Sequence, residues 1–429
     1  MYKARNLKGW MRKWASGRGG PAAIFALLAG SLPAARGQDA VRMSIASAQA
    51  AEAQRRAAAT VGYYNLQLGP TYWNFGTGLG AQYNSNINLT DTDRESDLIF
   101  TPQINTRMLW PVSDQNGLNL TLGAGYSAYV QNANLDRAFI TPGSALSFDL
   151  YIGDFWINLH DRFSILENPY QDPTVAGSGN YSQFQNAAGV STVWDLNKVV
   201  LKSAYDHVDS VPINGSQGQS TLSEEVFSLW AGYTLEPKVL LGLAGGASVV
   251  NEGNTSTVTG LENGVQWNVG PFFEAQASEY IQVSVNAGYT EFVPGSGGNV
   301  SSRDLSGGYA QASITHRLNQ YVSYSLAGGR ILSFSLYGTA SDMYFANLGA
   351  TWNLIHKVSL GTSFSFYHGT PTSSYNETFD QYGPQVTLSR PLTAKLSSSL
   401  GYQFFLRDSN QANRNYTVNL VSLNLNYTF

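Results

Sequence analysis

The chain has no cysteine among its 429 residues, which excludes a disulfide framework, a thiolate nucleophile and cysteine-ligated zinc or iron–sulfur sites. Charged residues are also scarce, at 13% of the chain, and they lack the basic excess typical of nucleic-acid binding. After residue 37 there is no run of 18 apolar residues to form a transmembrane helix. We therefore expect no nucleic-acid partner, no cofactor and no membrane-spanning helix.

The first 37 residues form a separate region with its own composition. Six basic residues and no acidic residue in positions 1–20 precede an apolar stretch at 21–33, which is typical of a secretory signal peptide. Ala35 and Gly37 predict cleavage after Gly37. The alternative, a retained anchor, is less favoured because the stretch is shorter than the ~20 residues that span a bilayer. Residues 38–70 are predicted to be an Ala-rich periplasmic leader, either a short helix or a flexible segment that enters a lumen.

From residue 71 to 429 the apolar residues recur with a period of two. Leu118, Leu120 and Leu122 alternate with Asn119 and Thr121, so one face of this strand is apolar and the other polar. A soluble β-sandwich also alternates in this way. The connections favour a different fold, because short and long links alternate along the chain, as in outer-membrane barrels with short periplasmic turns and long extracellular loops.

The predicted fold is therefore an all-β, transmembrane, antiparallel up-and-down barrel in the bacterial outer membrane. Nine long loops and eight short turns give about 18 strands, a size that leaves an aqueous channel. Either the loop at 167–180 or the leader at 38–60 can fold inward and plug that channel. Aromatic residues near strand ends are expected at the lipid headgroup level; they are Trp110, Trp156, Trp194, Trp230, Trp352 and Tyr427.

Two segments resemble known sequences. The C-terminus, with Tyr427 and the terminal Phe429 on one face, is similar to the signal by which the barrel assembly machinery recognises its substrates. Residues 80–87 and 96–102 resemble the start of outer-membrane β-barrel porins associated with exopolysaccharide export, the bacterial β-barrel porin type 2 family. The resemblance implies a wide barrel that passes polysaccharide outward together with a periplasmic polysaccharide-export lipoprotein.

Catalysis is not predicted. The five histidines are scattered without the spacing of a nucleophile and its base, and no Gly-x-Ser-x-Gly elbow is present. Each histidine is expected to form hydrogen bonds at the rim or in the lumen. The carboxylates of Asp91, Asp93, Glu95 and Asp97 allow a divalent cation or a bridge to lipopolysaccharide, but a solvated surface loop is the favoured interpretation.

Amides and hydroxyls dominate the face predicted to line the lumen, with sparse charges of both signs. The predicted lining charges are Arg107, Asp149, Arg162, Lys202, Asp206, Glu274, Arg317, Lys357 and Lys395. Three tyrosines, Tyr129, Tyr309 and Tyr367, are candidate platforms on which a sugar ring stacks. Because no ring of one sign is evident, we expect a neutral or weakly charged hydrophilic solute, most specifically a glycan.

Three functions remain open from the sequence. The favoured one is an outer-membrane channel for hydrophilic solutes, in its most specific form an exporter of exopolysaccharide. The alternatives are a general diffusion or nutrient-uptake porin and a barrel that acts as a receptor or structural protein without transport. In each case the expected surroundings are outer-membrane lipid and lipopolysaccharide.

Overall fold

The computed structural model describes residues 64–179, 181–213, 221–253, 263–295, 305–334, 340–354, 357–371 and 377–429. The predicted signal peptide and leader residues 38–63 lie outside these ranges, so their predicted roles stay predictions. Within the described ranges, no helix has both the length and the apolar character needed to cross a bilayer.

The described residues form twenty strands and two short 3₁₀ turns, the latter at Ala133–Leu135 and Pro169–Gln171. The strands are β1 Leu66–Leu68, β2 Thr71–Asn84, β3 Asp97–Pro111, β4 Gly117–Tyr129, β5 Arg137–Ile140, β6 Ala145–Ile152, β7 Phe155–Leu166, β8 Gln183–Asp195, β9 Val199–Pro212, β10 Thr221–Glu236, β11 Val239–Gly253, β12 Gly264–Gln276, β13 Ile281–Pro294, β14 Leu305–Arg317, β15 Val322–Phe334, β16 Ala340–Asn353, β17 Ser359–Pro371, β18 Phe379–Pro391, β19 Leu396–Ser409 and β20 Tyr416–Thr428.

The sheet closes on itself. Apart from β5 and β6, each strand pairs antiparallel with the next, and β2 pairs with both β3 and β20, which leaves no open edge between the first and last long strands. β5 and β6 lie end to end between β4 and β7, so together they make one barrel strand interrupted at residues 141–144. β1 pairs only with the start of β2. The barrel therefore has 18 strands, which confirms the prediction.

Strand register separates an outer apolar wall from an inner polar one. Leu79 pairs with Pro102 on the outer face, whereas the neighbouring pair Gly78 and Gln103 faces inward. Outer side chains such as Ile104 and Leu243 are 61% and 62% exposed. A closed barrel hides its backbone hydrogen bonds and presents this apolar wall to its surroundings, which is the arrangement that a bilayer requires. The chain is thus an outer-membrane β-barrel with short periplasmic turns and long extracellular loops.

Aromatic residues mark the periplasmic end of the outer wall, with one correction to the sequence prediction. Trp110, Trp194 and Trp352 are exposed on the outside near the short turns. Trp156 and Trp230 instead point inward and are buried. Alternating side chains of a strand point to opposite faces, and Trp156 and Trp230 occupy inward positions. A position near a strand end therefore did not show which side of the wall each ring would face.

The C-terminal residues lie at the seam where the barrel closes. The rings of Tyr427 and Phe429 are 5.3 Å apart at 85° on the outer face. The Phe429 backbone N–H donates to the carbonyl of Phe75 in β2 at 3.2 Å, and Asn65 Nδ2 donates to the Phe429 carbonyl, also at 3.2 Å. The predicted assembly signal is therefore placed at the periplasmic edge of the seam, and its recognition stays a prediction.

Candidate functional site: the channel interior

The most distinctive feature of the interior is the link between β7 and β8, residues 167–179, here called the crossing loop. It leaves the wall at Leu166 and reaches inward-facing residues of β18 and β19, far around the barrel. Gln381 Nε2 donates to the Tyr170 carbonyl at 3.2 Å, and Gly177 N–H donates to the Leu89 carbonyl at 2.9 Å. The loop thus lies inside the barrel, the inward folding that the sequence left open.

Arg407 of β19 anchors the crossing loop. Its side chain is fully buried, with Nε donating to the Pro173 carbonyl at 3.1 Å and Nη1 to the Arg414 carbonyl at 2.7 Å. Its guanidinium also lies 4.2 Å from the ring centroid of Phe379. The planar guanidinium has several N–H donors in fixed directions, so one side chain joins the loop to two strands.

Glu377 balances the charge of this anchor. Its Oε1 accepts from Arg407 Nη2 at 2.8 Å, Arg414 Nε at 2.7 Å and Ser409 Oγ at 2.8 Å. Burial alone raises the pKa of the Glu377 carboxyl, but the two guanidinium groups outweigh it and hold that pKa below its ordinary value. The carboxylate is therefore ionised at neutral pH and completes a buried charge network.

An apolar cluster holds the same loop from the other side. Tyr170 and Val175 of the loop pack with Leu89 of the first extracellular loop and with Phe405 and Val418 of the wall. The Tyr170 and Phe405 ring centroids are 5.1 Å apart. Burial raises the pKa of the Tyr170 hydroxyl, so it remains neutral. Apolar packing and the arginine anchor together fix the loop in the extracellular half of the lumen.

A second inward-leaning element lies across the mouth from this cluster. The extracellular ends of β15 and β16 bring Leu332, Phe334 and Ala340 against Leu222 of β10 and Phe292 of β13. The rings of Phe292 and Phe334 meet edge to face with centroids 5.1 Å apart. Apolar packing inside the mouth therefore occurs on two sides of the barrel, which narrows the passage relative to the bare 18-strand wall.

The base of the crossing loop is fixed by polar contacts with β4 and β5. Arg137 Nη1 donates to the Tyr181 carbonyl at 2.9 Å, and its Nη2 donates to Tyr129 Oη at 3.2 Å. Ser127 Oγ donates to Glu167 Oε2 at 2.5 Å. Burial raises the pKa of Glu167 despite the opposing effects of this hydrogen bond and of Arg137. Glu167 at the base of the loop and Glu377 beside its docked middle thus have pKa values that shift in opposite directions.

A chain of hydrogen bonds runs along the inner wall of β6 to β9. Asp149 Oδ1 accepts from Asn158 Nδ2 at 2.9 Å, and Asn158 Oδ1 lies 2.9 Å from His160 Nδ1. His160 Nε2 lies 2.6 Å from Asp206 Oδ1. Both ring nitrogens of His160 are therefore engaged, so it has no free nitrogen to activate the cross-strand Ser147. The arrangement stiffens a wall and is not that of a catalytic dyad.

The strand register puts most of the predicted lining charges on the inner wall. Arg107, Glu274 and Arg317 share the inward face of their strands, and the Lys202 ammonium lies 5.4 Å from the ring centroid of Trp230. Arg162 also faces inward and lies beside Ala187 of β8. These residues are spread over many strands, so the structure does not bring them into one binding group.

Two lysines and two tyrosines differ from their predicted roles. Lys357 and Lys395 lie in short periplasmic turns, next to the strands and not within them, so they flank the inner mouth instead of lining the wall. Tyr309 is buried and donates to Asn286 Oδ1 at 3.1 Å. Tyr367 is buried against Phe345 and other apolar side chains. Because their faces are covered, neither Tyr309 nor Tyr367 offers a free surface for stacking.

The acidic first loop is mostly a solvated loop, as favoured from sequence. Asp91, Asp93 and Glu95 are exposed, and no group of His, Asp and Glu residues in the described ranges is arranged to hold a metal ion. Asp97 differs, because it is buried and accepts hydrogen bonds from the backbone of Gln131 and Asn132. Its carboxylate ties the first extracellular loop to the second.

The anchoring residues of the mouth were not singled out by the sequence. Glu377 precedes β18, Arg407 lies near the end of β19, and Arg137 lies in a strand interrupted after four residues. One signal for Arg407 was present: it continues the inward face after Gln403 and Phe405. Its partners come from distant loops, which a local alternation does not identify.

Comparisons with known proteins find similar chains among solved structures, which include a porin and an outer membrane protein. No protein-family profile matches the sequence, and neither does any curated protein. Among solved structures, Pseudomonas aeruginosa OccK2 (OpdF) in complex with glucuronate shares 12% identity, with 84% of this chain and 99% of that chain covered and a TM-score of 0.49. The BenF-like porin from Pseudomonas fluorescens Pf-5 shares 10%, with 84% and 100% covered and a TM-score of 0.49.

A further similar structure is the Pseudomonas aeruginosa outer membrane protein opdK, at 11% identity, 83% and 98% coverage and a TM-score of 0.47. At these identities a likeness does not carry over a substrate. The description of this chain as a membrane barrel therefore depends on its own closed sheet and exposed apolar wall.

Proposed function

We propose that this protein is a size-selective outer-membrane channel for small hydrophilic solutes, not an enzyme. The observation that carries the proposal is the crossing loop, which is anchored inside the extracellular half of the barrel by Arg407. A loop fixed in this way reduces the cross-section open to a solute. The inner wall supports uncharged cargo, since Gln103, Asn286 and Ser313 on its surface offer hydrogen bonds without a field of one sign.

The predicted export of exopolysaccharide is the second candidate. Amide and hydroxyl groups along the inner wall suit a glycan, but a polymer needs a continuous wide path through the mouth. Export of a polymer through this lumen would require the crossing loop to break its contacts with Gln381 and Arg407. Binding of a periplasmic partner or of the polymer itself would have to supply the free energy for that undocking. The two candidates therefore differ in whether the loop stays docked during transport.

Single-channel conductance in planar bilayers and liposome swelling with sugars of increasing size test the proposal. The full chain is compared with a variant in which residues 169–177 are replaced by a short Gly-Ser linker. We expect the full chain to pass monosaccharides and exclude long oligosaccharides, and the variant to conduct more and pass longer chains. A wild-type protein that is silent although inserted, or that passes long glycans as fast as the variant, contradicts the proposal.

A further inference from the structure

The wall is split between β14 and β15 in its extracellular half. These two strands pair from their periplasmic ends up to Gln311 and Gly329, and among the described residues no pairing between them follows, although both strands continue. Over that stretch each still pairs with its other neighbour, β14 with β13 and β15 with β16. The ends of β15 and β16 therefore leave the wall together. We call residues 330–334 and 340–343 the displaced strands.

Alternation along β15 shows that the displaced strands cross the line of the wall. Leu326 and Leu332 are six residues apart, so a strand that stayed in the wall would present both on its outer face. Leu326 is 49% exposed, whereas Leu332 is 4% exposed and packs with Leu222 and Phe292 of the inner wall. The outer face of the displaced strands is thus turned against the inside of β10 and β13, where it obstructs the mouth.

The other face of the displaced strands is packed as well. Ile331 and Met343 lie against Phe379 of β18. The ring of Phe379 also lies beneath the guanidinium of Arg407, which anchors the crossing loop. The two obstructions of the mouth therefore touch each other.

A glycine and an arginine hold the split. A Cβ at Gly329 would lie 2.4 Å from the Ala310 carbonyl oxygen, so the close approach at the last paired position requires glycine. At the next residue, Arg330 Nε and Nη2 donate to Asp342 Oδ1 and Oδ2 at 2.8 and 2.9 Å, and Nη1 donates to the Gly308 carbonyl. The guanidinium thus replaces a strand partner for the free end of β14.

The free ends of β14 and β15 match each other in register. Continuing the ladder beyond Gly329 would place Gly308 opposite Leu332 and Ser306 opposite Phe334. Both ends are already extended, so pairing them requires a hinge movement and no refolding. A second arrangement of the same strands, with the wall complete, is therefore available.

The position of the split favours that second arrangement. Tyr289, which pairs with Gly308, and Val293, farther toward the outside, are both exposed on the outer wall, so the split lies within its apolar part. Unpaired backbone groups at a sheet edge are costly in hydrocarbon. The backbone bonds gained by completing the wall thus oppose the apolar packing that holds the displaced strands inside.

We propose that the displaced strands are a gate of the channel, which opens when β15 pairs with the free end of β14. This movement carries Leu332 and Phe334 out of the mouth and restores the 18-strand wall along its full height. The inference rests on the proposed function, because a gate matters only in a channel that conducts.

Disulfide trapping tests the gate, since the chain has no cysteine of its own. Ser306→Cys with Phe334→Cys places two thiols opposite each other only when β14 and β15 pair. Phe292→Cys with Phe334→Cys joins positions whose ring centroids are 5.1 Å apart in the docked arrangement. We expect both disulfides to form in the full chain in planar bilayers. The first should lock the channel at its larger conductance and the second should abolish that level, and a reductant should reverse each effect.

The matched control is Ile314→Cys with Leu326→Cys, outward partners where the strands are already paired; its disulfide should form and leave conductance unchanged. Arg330→Met, which removes the bond to Gly308, should speed the cross-linking of residues 306 and 334. A wild-type chain that never conducts would contradict the proposed function. A conducting chain whose 306–334 pair stays uncross-linked while the control forms, or whose two trapped states conduct alike, would overturn the gate alone.

Discussion

Arginine is buried in the extracellular half of the lumen and exposed in the periplasmic half. Arg407, near the extracellular end, is fully buried and bonds to carbonyls of two loops. Arg107, near the periplasmic end, is exposed on the same inner wall. Both belong to alternating strands, so the strand pattern did not distinguish them. An inward-facing charge that is covered by a loop, such as Arg407, stabilises the fold. An uncovered one, such as Arg107, is exposed to the passing solute.

The largest effect should come from removing the buried arginine. Arg407→Met leaves the Glu377 carboxylate buried beside one fewer guanidinium, a change that costs about 3–5 kcal/mol for a buried ion pair. We expect a lower free energy of unfolding in denaturant and a larger channel conductance. Arg107→Met is the control and should stay within about 0.5 kcal/mol. An equal loss in free energy of unfolding for the two substitutions would show that the buried and the exposed arginine contribute alike to stability.

Loss of apolar packing should have the next largest effect. Tyr170→Ala removes a buried ring from contact with Phe405, and such truncations cost about 3 kcal/mol in protein interiors. The measurement is the rate at which a protease cleaves the crossing loop, which should rise as the loop undocks. Tyr126→Ala, at an exposed outward tyrosine, is the matched control. An unchanged cleavage rate for Tyr170→Ala would show that the loop is held without this cluster.

Acidification should loosen the docked middle of the crossing loop, near Pro173. The pKa of Glu377 lies below its ordinary value of 4.5, so its ionised form stabilises docking above that pH and the contribution is lost as the pH falls through the lower folded value. Conductance measured from pH 7 to pH 3 should therefore rise at the acid end, and Glu377→Gln should remove the rise. A rise that persists in this variant would place the titrating group elsewhere.

Glu167 should respond in the opposite direction. Its pKa is raised by burial, so the folded protein favours the neutral acid and loses stability as the pH rises through that pKa. Glu167→Gln should therefore leave stability at neutral pH equal or slightly higher, measured by denaturant unfolding. A clear loss of stability at pH 7 would mean that the charge of Glu167 is used in the fold.

The smallest effect belongs to the exposed charges of the periplasmic half. Arg107→Glu should shift the ratio of cation to anion permeability, measured as a reversal potential in a salt gradient, by about twofold, since exposed charges interact weakly through water. Arg390→Glu, on the outer wall at the same end, should leave the ratio unchanged. Equal shifts from both would show that surface potential, not the lumen wall, sets selectivity.

The sequence predicted the wall better than the mouth, for a physical reason. Alternation is local, so Leu118 and Asn119 alone indicate which face of their strand is apolar, and turn lengths give 18 strands. The Glu377–Arg407 pair joins residues from different loops and strands, and no periodic pattern predicts such a contact. Tyr367 shows the same limit. Alternation predicted that it faces the lumen, but it did not predict that Tyr367 packs within an apolar cluster.

The position of the crossing loop also sets an order of events during biogenesis. The loop follows β7, early in the chain, yet its partners Gln381, Arg407 and Arg414 lie in β18, β19 and the loop before β20, at the end of the chain. Those partners take their final places only when β20 has joined β2. We therefore expect closure of the wall to precede docking, so that the newly closed barrel has a wider mouth before the loop docks.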